Sequence, residues 1–505
     1  MILKKIRYWL AQRAALAKMT KKKAFYITTT IPYVNADPHI GFALELVQAD
    51  ALARYQRLIG HEVFFSTGTD EYGQKIWEAS EREGKMVQKY VDYYTEKFLD
   101  LKNVLNLSYD NFIRTTSTGH IKAAQEFWHL CNAQGDIYKK IYRGLYCVGC
   151  EKFITEKDLM DGKCSMHPNQ KPEIVEEENY FFRLSKYKKE LLECLANEKA
   201  AIPEWRRKEA IEYVQEGMED FSISRNKKRF SWGIPIPGDD TQVMYVWFGA
   251  FVNYISSLGW PDSHGMFEKF WQDGEKVQIA GKDMVKFQSV MWQGMLMSAG
   301  MPTTNTIVYH GFITGEGGIK MSKSLGNVIN PVDIVNEYGT DALRYFLLRE
   351  ISPFEDSPFT MERFKESYNA NLANGIGNLT SRIMKMAVSY GVSWKDYIGE
   401  GEIAENFHGY PGVWDEAYKN LDIKAVMDNL WGKIQALDVY IQINEPYKKI
   451  KTNEVVAKKD VAYLLSHLLR ISYELEPLLP KTAIIIRNYI TDNKMPATPL
   501  FLRKD

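Results

Sequence analysis

Two apolar segments rich in β-branched and aromatic residues, "AFYITTT" at 24–30 and "HEVFFSTGTDEYG" at 61–73, flank a stretch of helical periodicity, "IGFALELVQADALARYQRLIG". That order constrains the chain more than any other feature. A strand, a covering helix and a second strand build a parallel sheet, because parallel neighbours need a crossover of helical length. The texture returns in "VMYVWFGAFVNYI", "KVQIAGKDMV" and "TNTIVYHGFI". The fold class expected is therefore α/β. Between the two blocks, residues 136–238 are mixed, charged and cysteine-bearing, and read as an insertion. After about Pro358 strands vanish and helical patterns such as "NLDIKAVMDNLWGKIQALDVYIQI" continue to the end.

At 505 residues the chain has room for several cores. Lys plus Arg and Asp plus Glu both number 64, so no global field draws it to nucleic acid and any such contact must use local patches. Five cysteines in this length argue against a disulfide-stapled secreted protein, and no apolar run is long enough to span a bilayer. A soluble cytoplasmic protein with no membrane partner is expected. The first 23 residues carry eight Lys or Arg and no acid. They read as a basic N-terminal extension, or as an upstream start ahead of Met19; a transit peptide would be richer in serine.

Three constellations carry chemistry. The first is the opening of the long helix, "NADPHIGF", where Asp37 reads as the N-cap, Pro38 as the first helical residue and His39 as part of the first turn. A helix N-terminus above a strand end is a ready anion site, and His39 there can touch phosphate. The second is "GFITGEGGIKMSKSLGN", where a glycine-rich stretch precedes Lys320 and Lys323. The spacing does not fit a P-loop, but two lysines on such a loop can neutralise charge building on a pyrophosphate. The third is "YCVGCEKFITEKDLMDGKCSMHPNQ": Cys147 with Cys150, and Cys164 with His167, form two clips of equal gap. Four such ligands close a tetrahedral zinc site, which makes it structural rather than catalytic. Cys131 and Cys194 fall on helical patterns and read as core thiols.

"HIGF" at 39–42 and "KMSKS" at 320–324 resemble the two signatures of the class I aminoacyl-tRNA synthetases. "TIPYVN", "TGTDEYG", "WGIPIPGDD", "YVWFGAFVNY", "GKDMVKFQ" and "NANLANGIGNLTSR" narrow the resemblance to the methionyl-tRNA synthetases of the single zinc-knuckle type. It covers the chain from Ala24 onward. The resemblance implies a Rossmann-like catalytic domain in two halves, 24–135 and 239–315, around a zinc-bearing connective insertion at 136–238. A signature-loop and stem-contact region at 316–368 and an all-α anticodon-binding bundle at 369–505 would follow.

The resemblance also implies a site, position by position. Ile31, Tyr33, Trp247, Ala250, Tyr254, Met284 and Gln288 would line the methionine pocket, and Asp70 would hold the substrate ammonium. His39, Gly41, Gly281, Asp283, Lys320 and Lys323 would serve ATP, with His39 and the two lysines as catalytic groups. Asn374, Asn378, Arg382, Pro446 and Tyr447 would meet the anticodon. The implied activity is that of a methionine–tRNA ligase with L-methionine, Mg-ATP and tRNA(Met) as partners; separately, the end at "LFLRKD" with no appended domain leads us to expect a monomer. Five positions depart from the family pattern: Phe42 and Gln288 stand where it usually has His, Gly249 where it has Asp, Met284 where it has Ile and Tyr447 where it has Trp. These leave open a second reading, a synthetase-like tRNA-binding protein weakened in activation.

Overall fold

The structure is a computed structural model that describes residues 23–147, 152–154, 156–165, 171–228, 231–319, 321, 328–396 and 413–504. Ten strands matter here: β1 Ala24–Thr29, β2 Glu62–Thr69, β3 Asn111–Arg114, β4 Ile137–Cys147, β5 Lys152–Ile154, β6 Glu173–Phe182, β7 Ala201–Ile202, β8 Phe221–Ser222, β9 Glu275–Gly281 and β10 Thr306–His310. β3, β2, β1, β9, β10 and β7 lie in that order in one sheet, and every pairing in it is parallel. Residues Phe25 to Thr29 are all buried, which is why β1 lacks the alternation of a one-sided strand. From β1 the chain builds outward through β2 and β3 and later returns on the other side with β9 and β10. The order therefore reverses between β1 and β9, and a doubly wound sheet binds its ligands at the carboxyl ends flanking such a reversal.

Helices cover both faces. Helix α1, Ile40–Leu58, packs Leu44, Val47 and Ala51 into one core with Phe25, Ile27, Val277 and Ile279. On the opposite face, α2, Thr118–Ala133, packs Ala124, Phe127 and Trp128 into a second core with Tyr26, Ala280 and Tyr309. The start of α1 differs from the sequence expectation. His39, not Asp37, is the N-cap, and its Nδ1 accepts from Gly41 N at 3.1 Å. Asp37 instead pairs with Lys97 at 2.6 Å. Glycine permits this cap, because a Cβ at position 41 would lie 3.0 Å from two atoms of the imidazole ring.

Within the segment 136–238, β8, β6, β4 and β5 make a separate four-stranded sheet built on the long antiparallel β4–β6 ladder. The same segment also returns to the main sheet, where β7 pairs with β10 as the sixth strand. Leu184, Leu191, Leu195 and Ala210 join the second core. The charged texture around these residues hid their apolar minority from a reading of the sequence alone.

Beyond β10 the chain is largely helical: α3 Thr340–Tyr345, α4 Asn378–Tyr390, α5 Ile423–Asn444, α6 Glu454–Glu474 and α7 Pro480–Asp492. Leu430, Trp431, Leu465, Leu468 and Ile486 share the first core with α1, so the helical region packs on the sheet domain directly. Helix α5 stops at Glu445, whose φ of 43° is left-handed, and Pro446 begins a short new helix, Pro446–Lys449. That is the break expected where a proline denies the helix its hydrogen-bond donor. No described helix is long and apolar enough to cross a membrane.

Candidate active site

Past the end of β1 the backbone continues beside β2. Asp70 N donates to Pro32 O at 2.9 Å and Val34 N to Asp70 O at 3.3 Å, which sets Tyr33 and Asp70 side by side. Asp70 is 4% exposed, and Thr115 Oγ1 donates to its Oδ1 at 3.3 Å. Its neighbour Glu71 is an anchor that sequence reading missed. The Glu71 carboxylate, wholly buried, accepts from Arg114 at 2.7 and 3.0 Å and from the hydroxyls of Thr69, Thr95 and Thr116. Its backbone oxygen accepts from Trp232 Nε1 at 2.6 Å, tying the "WGIPIP" stretch to the site.

Aromatic rings gather around Tyr33. Trp247 meets it edge-on at 6.2 Å between centroids and stacks on Phe287 at 4.5 Å. Tyr254 is buried on the same side, and Ala250 and Met284 belong to the elements that flank it. Gln288 lies in a π-helical segment, Lys286–Trp292, a widened turn of the kind often found at functional sites. Its Nε2 donates to the hydroxyl of Tyr254. A hydroxyl that accepts in this way keeps its own hydrogen for another acceptor. Burial pushes the Tyr254 phenol far above its ordinary pKa, so it stays a neutral donor. Glutamine thus supplies the donor that a histidine would bring to the same place. At Gly249, a Cβ would come 2.9 Å from Ile234 Cδ1, so this pocket wall is filled by isoleucine instead of an acidic side chain. Phe42 is buried, edge-on to Phe98 at 5.6 Å. It serves the core and not a phosphate.

Across the reversal, Gly281 ends β9 opposite His310 of β10. A Cβ on Gly281 would lie 2.7 Å from Asp283 Oδ1, so the backbone and the exposed Asp283 share one tight corner. Beneath it lies a buried network absent from the sequence expectation. Glu45 of α1 accepts from Thr30 N and Thr30 Oγ1 at 2.5 and 2.6 Å, and its other oxygen meets His310 Nε2 at 3.0 Å. His310 Nδ1 faces Gly311 O at 2.8 Å. Both ring nitrogens face acceptors, which selects the imidazolium. Burial alone would lower the His310 pKa, but the Glu45 carboxylate and the Gly311 carbonyl outweigh it and raise it. The network joins α1, the segment just past β1 and the end of β10 beside the reversal of strand order.

The first signature is tied by its backbone to the segment that follows the second. Ile40 N, at the first turn of α1, donates to Ile329 O at 3.0 Å. Ile329 follows the "KMSKS" stretch, and Met321 within it packs against the first core. On the other flank, Ile313–Thr314 forms a short strand, followed by Gly317 and Gly318 with φ of 69° and 77°. Lys320 and Lys323 lie outside the described residues. Cys150 and His167 do too, while Cys147 and Cys164, each 1% exposed, share a small cluster with Ile154. No group of three or more His, Cys, Asp or Glu able to hold a metal occurs among the described residues.

In the helical region Asn374 and Asn378 are exposed, and Arg382 pairs with Asp438. Asn374 sits in a π-helical stretch, Tyr368–Gly377, kinked at Gly375, so 374, 378 and 382, though four residues apart, do not follow one regular α-helical face. Pro446 is buried and Tyr447 is 45% exposed beside it.

The family model described as tRNA synthetases class I (M) matches residues 25–167 and 154–384. A methionine–tRNA ligase of Nostoc sp. is 38% identical over 472 residues, covering 91% of this chain and 88% of that one. One from Thermotoga maritima is also 38% identical, over 91% of this chain and 74% of the relative. The Mycobacterium tuberculosis methionyl-tRNA synthetase in complex with methionyl-adenylate superposes with a TM-score of 0.83 at 31% identity, covering 96% of this chain and 99% of that one. The chain belongs to the class I tRNA synthetases. Within them its relatives are methionyl-tRNA synthetases.

Proposed function

We propose that the chain is a methionine–tRNA ligase, which activates L-methionine with Mg-ATP to methionyl-adenylate and transfers the methionyl group to the 3′ end of tRNA(Met). The observation that carries this reading is the pairing of Tyr33 with the buried Asp70 beside the Trp247 ring at the carboxyl side of the parallel sheet, in a chain whose relatives are methionyl-tRNA synthetases. Methionine's carboxylate attacks the α-phosphorus of ATP and pyrophosphate leaves, so no side-chain nucleophile is needed; positioning and charge stabilisation do the work. In this assignment Asp70 holds the ammonium. Ile31, Tyr33, Trp247, Ala250, Tyr254, Met284 and Gln288 enclose the thioether, for which aromatic walls are favourable partners. Gly281 and Asp283 seat the nucleoside, His39 and Gly41 meet the phosphates, and Lys320 and Lys323 take the charge of the departing pyrophosphate. The enzyme acts as a monomer in the cytoplasm.

Amino-acid-dependent ATP–pyrophosphate exchange, run with methionine, homocysteine and isoleucine, tests this directly. Methionine should support exchange best. Absence of exchange with every amino acid, in protein that still binds tRNA, would favour the activation-deficient tRNA-binding reading. The repacking at Phe42 and Gly249 and the donor retained at Gln288 favour activity.

We assign Cys147, Cys150, Cys164 and His167 to one structural zinc, supported by the burial of Cys147 and Cys164 in one cluster. When bound, the ion would cross-link the two clips of the insertion. Protein purified without chelator is expected to carry one zinc per chain. Its removal should expose the insertion to proteolysis before the main sheet. Metal analysis showing no zinc would refute the ligand set.

Asn374, Asn378, Arg382, Pro446 and Tyr447 form the proposed anticodon site, in which amides and a guanidinium read unpaired base edges and the exposed Tyr447 ring stacks on a base. Stacking is worth about 1–3 kcal/mol per base. Tyr447→Ala should therefore weaken aminoacylation roughly tenfold or more and leave tRNA-free methionine activation unchanged. Equal loss in both assays, or loss in neither, would sink the assignment.

A further inference from the structure

Arg344 of α3 and Asp50 of α1 are both 0% exposed and form an ion pair at 2.7 Å. The guanidinium touches three separate segments. Besides Asp50, it donates to Leu105 O at 3.2 Å, to Leu478 O at 2.7 Å and to Pro477 O at 3.1 Å. Pro477 and Leu478 form the turn that leads into α7. Asp341, one helical turn before Arg344, accepts from Thr482 N at 2.6 Å and so occupies the amino end of α7 itself. One short helix therefore grips both the carbonyls before α7 and one amide in its first turn.

The grip extends in two directions. Toward the active site, Asp50 is held by Arg54 and by Ser108, and its helix carries Glu45 and the His39 cap. Toward the other end, α7 packs on α6. Asp460 of α6 accepts from Tyr440 of α5 at 2.9 Å and from Lys449 at 3.3 Å. Lys449 stands in the same short helix as Tyr447.

A buried ion pair is weak evidence of a stability device, because apolar side chains of the same shape often do as well. What a guanidinium spread over an acid and three carbonyls adds is register: packed apolar surfaces can slide and rotate, whereas this fork accepts one arrangement. A folded tRNA is stiff and is grasped at two distant ends, so a small angular error at the joint becomes a large displacement of its 3′ end.

We propose that Arg344, seated on Asp50 and assisted by Asp341, is a positioning residue that sets the anticodon-binding helices against the helix bearing His39, so that tRNA held by its anticodon delivers its 3′ end to the adenylate. This rests on the anticodon reading given above. The defect it predicts lies in transfer, not in activation.

Arg344→Gln alone would strand the Asp50 charge, so the double variant Asp50→Asn/Arg344→Gln is measured beside Arg344→Lys. The assays are tRNA-free methionine-dependent pyrophosphate exchange, the equilibrium affinity for tRNA(Met), and aminoacylation of tRNA(Met) and of a tRNA with altered anticodon. Exchange and tRNA affinity should hold in the double variant. Its kcat for aminoacylating tRNA(Met) should fall about tenfold, and the preference over the altered anticodon should shrink with it. Arg344→Lys keeps the charge but loses the fork, and should fall between. Exchange and transfer falling together, or transfer unchanged, would overturn the proposal. Tyr447→Ala separates it from its premise. If that variant is harmless, the anticodon reading fails; if it is impaired while the double variant transfers normally, the positioning role alone fails.

Discussion

Replacing Lys323 with alanine should lower the methionine-dependent exchange rate at saturation by about 10²–10³-fold and leave methionine affinity nearly unchanged. The negative charge that this lysine would meet develops on pyrophosphate only as the α-phosphorus bond breaks. Its loss therefore weakens binding of the transition state and not of the ground state. The flanks of the loop support this placement. Gly317 and Gly318 adopt left-handed φ values that other residues rarely take, and Ile329 is fastened to the first turn of α1. Pre-steady-state measurement of adenylate formation separates the two quantities. A variant that binds methionine poorly but activates it at the normal rate would contradict the role.

Glu71→Ala is expected to cost about 1–3 kcal/mol of folding stability, the usual penalty for leaving buried donors without their acceptor, since Arg114 is partly exposed and keeps its pair with Asp92. The loss reaches further than the Arg114 pair. Three threonine hydroxyls donate to the same carboxylate, and each would be left without that acceptor. Because Asp70 is the preceding residue, in register with Tyr33, any version that still folds should also show a raised KM for methionine. Glu71→Gln retains one acceptor oxygen and should recover part of both losses. Urea titration followed by exchange kinetics provides the check. A Glu71→Ala protein as stable as the parent, with unchanged KM, would show that the network is dispensable.

The parallel sheet and its two flanking layers were legible because β1, α1 and β2 each carry an unmistakable period or run. The quoted motifs at 31–33, 70, 247–254 and 281–288 were legible as well, and the structure sets Tyr33 beside Asp70 past the ends of β1 and β2, with Trp247 edge-on to the Tyr33 ring. What escaped was the buried polar scaffold: Glu45, Glu71, His310 and Trp232. A glutamate among apolar residues in a helix reads as solvated unless both faces of that helix are known to be covered, and here they are. The helix start was also misread. An Asp-Pro pair suits a cap and first position by propensity, but the imidazole of His39 lies over a glycine and captures the Gly41 amide, so the helix begins two residues later. Strand β7 was missed because two residues carry no periodicity at all.

Helix α1 is buried without interruption from Phe42 to Ala53. Backbone hydrogen bonds with no solvent-facing side break only when surrounding structure comes apart, so its amides belong to the slowest-exchanging class of the molecule. The histidine at its head thus rides on a part of the protein that scarcely breathes. A floor of this kind keeps the strand ends and the helix start at fixed separations, so the shape of the site does not wait on a ligand to be set.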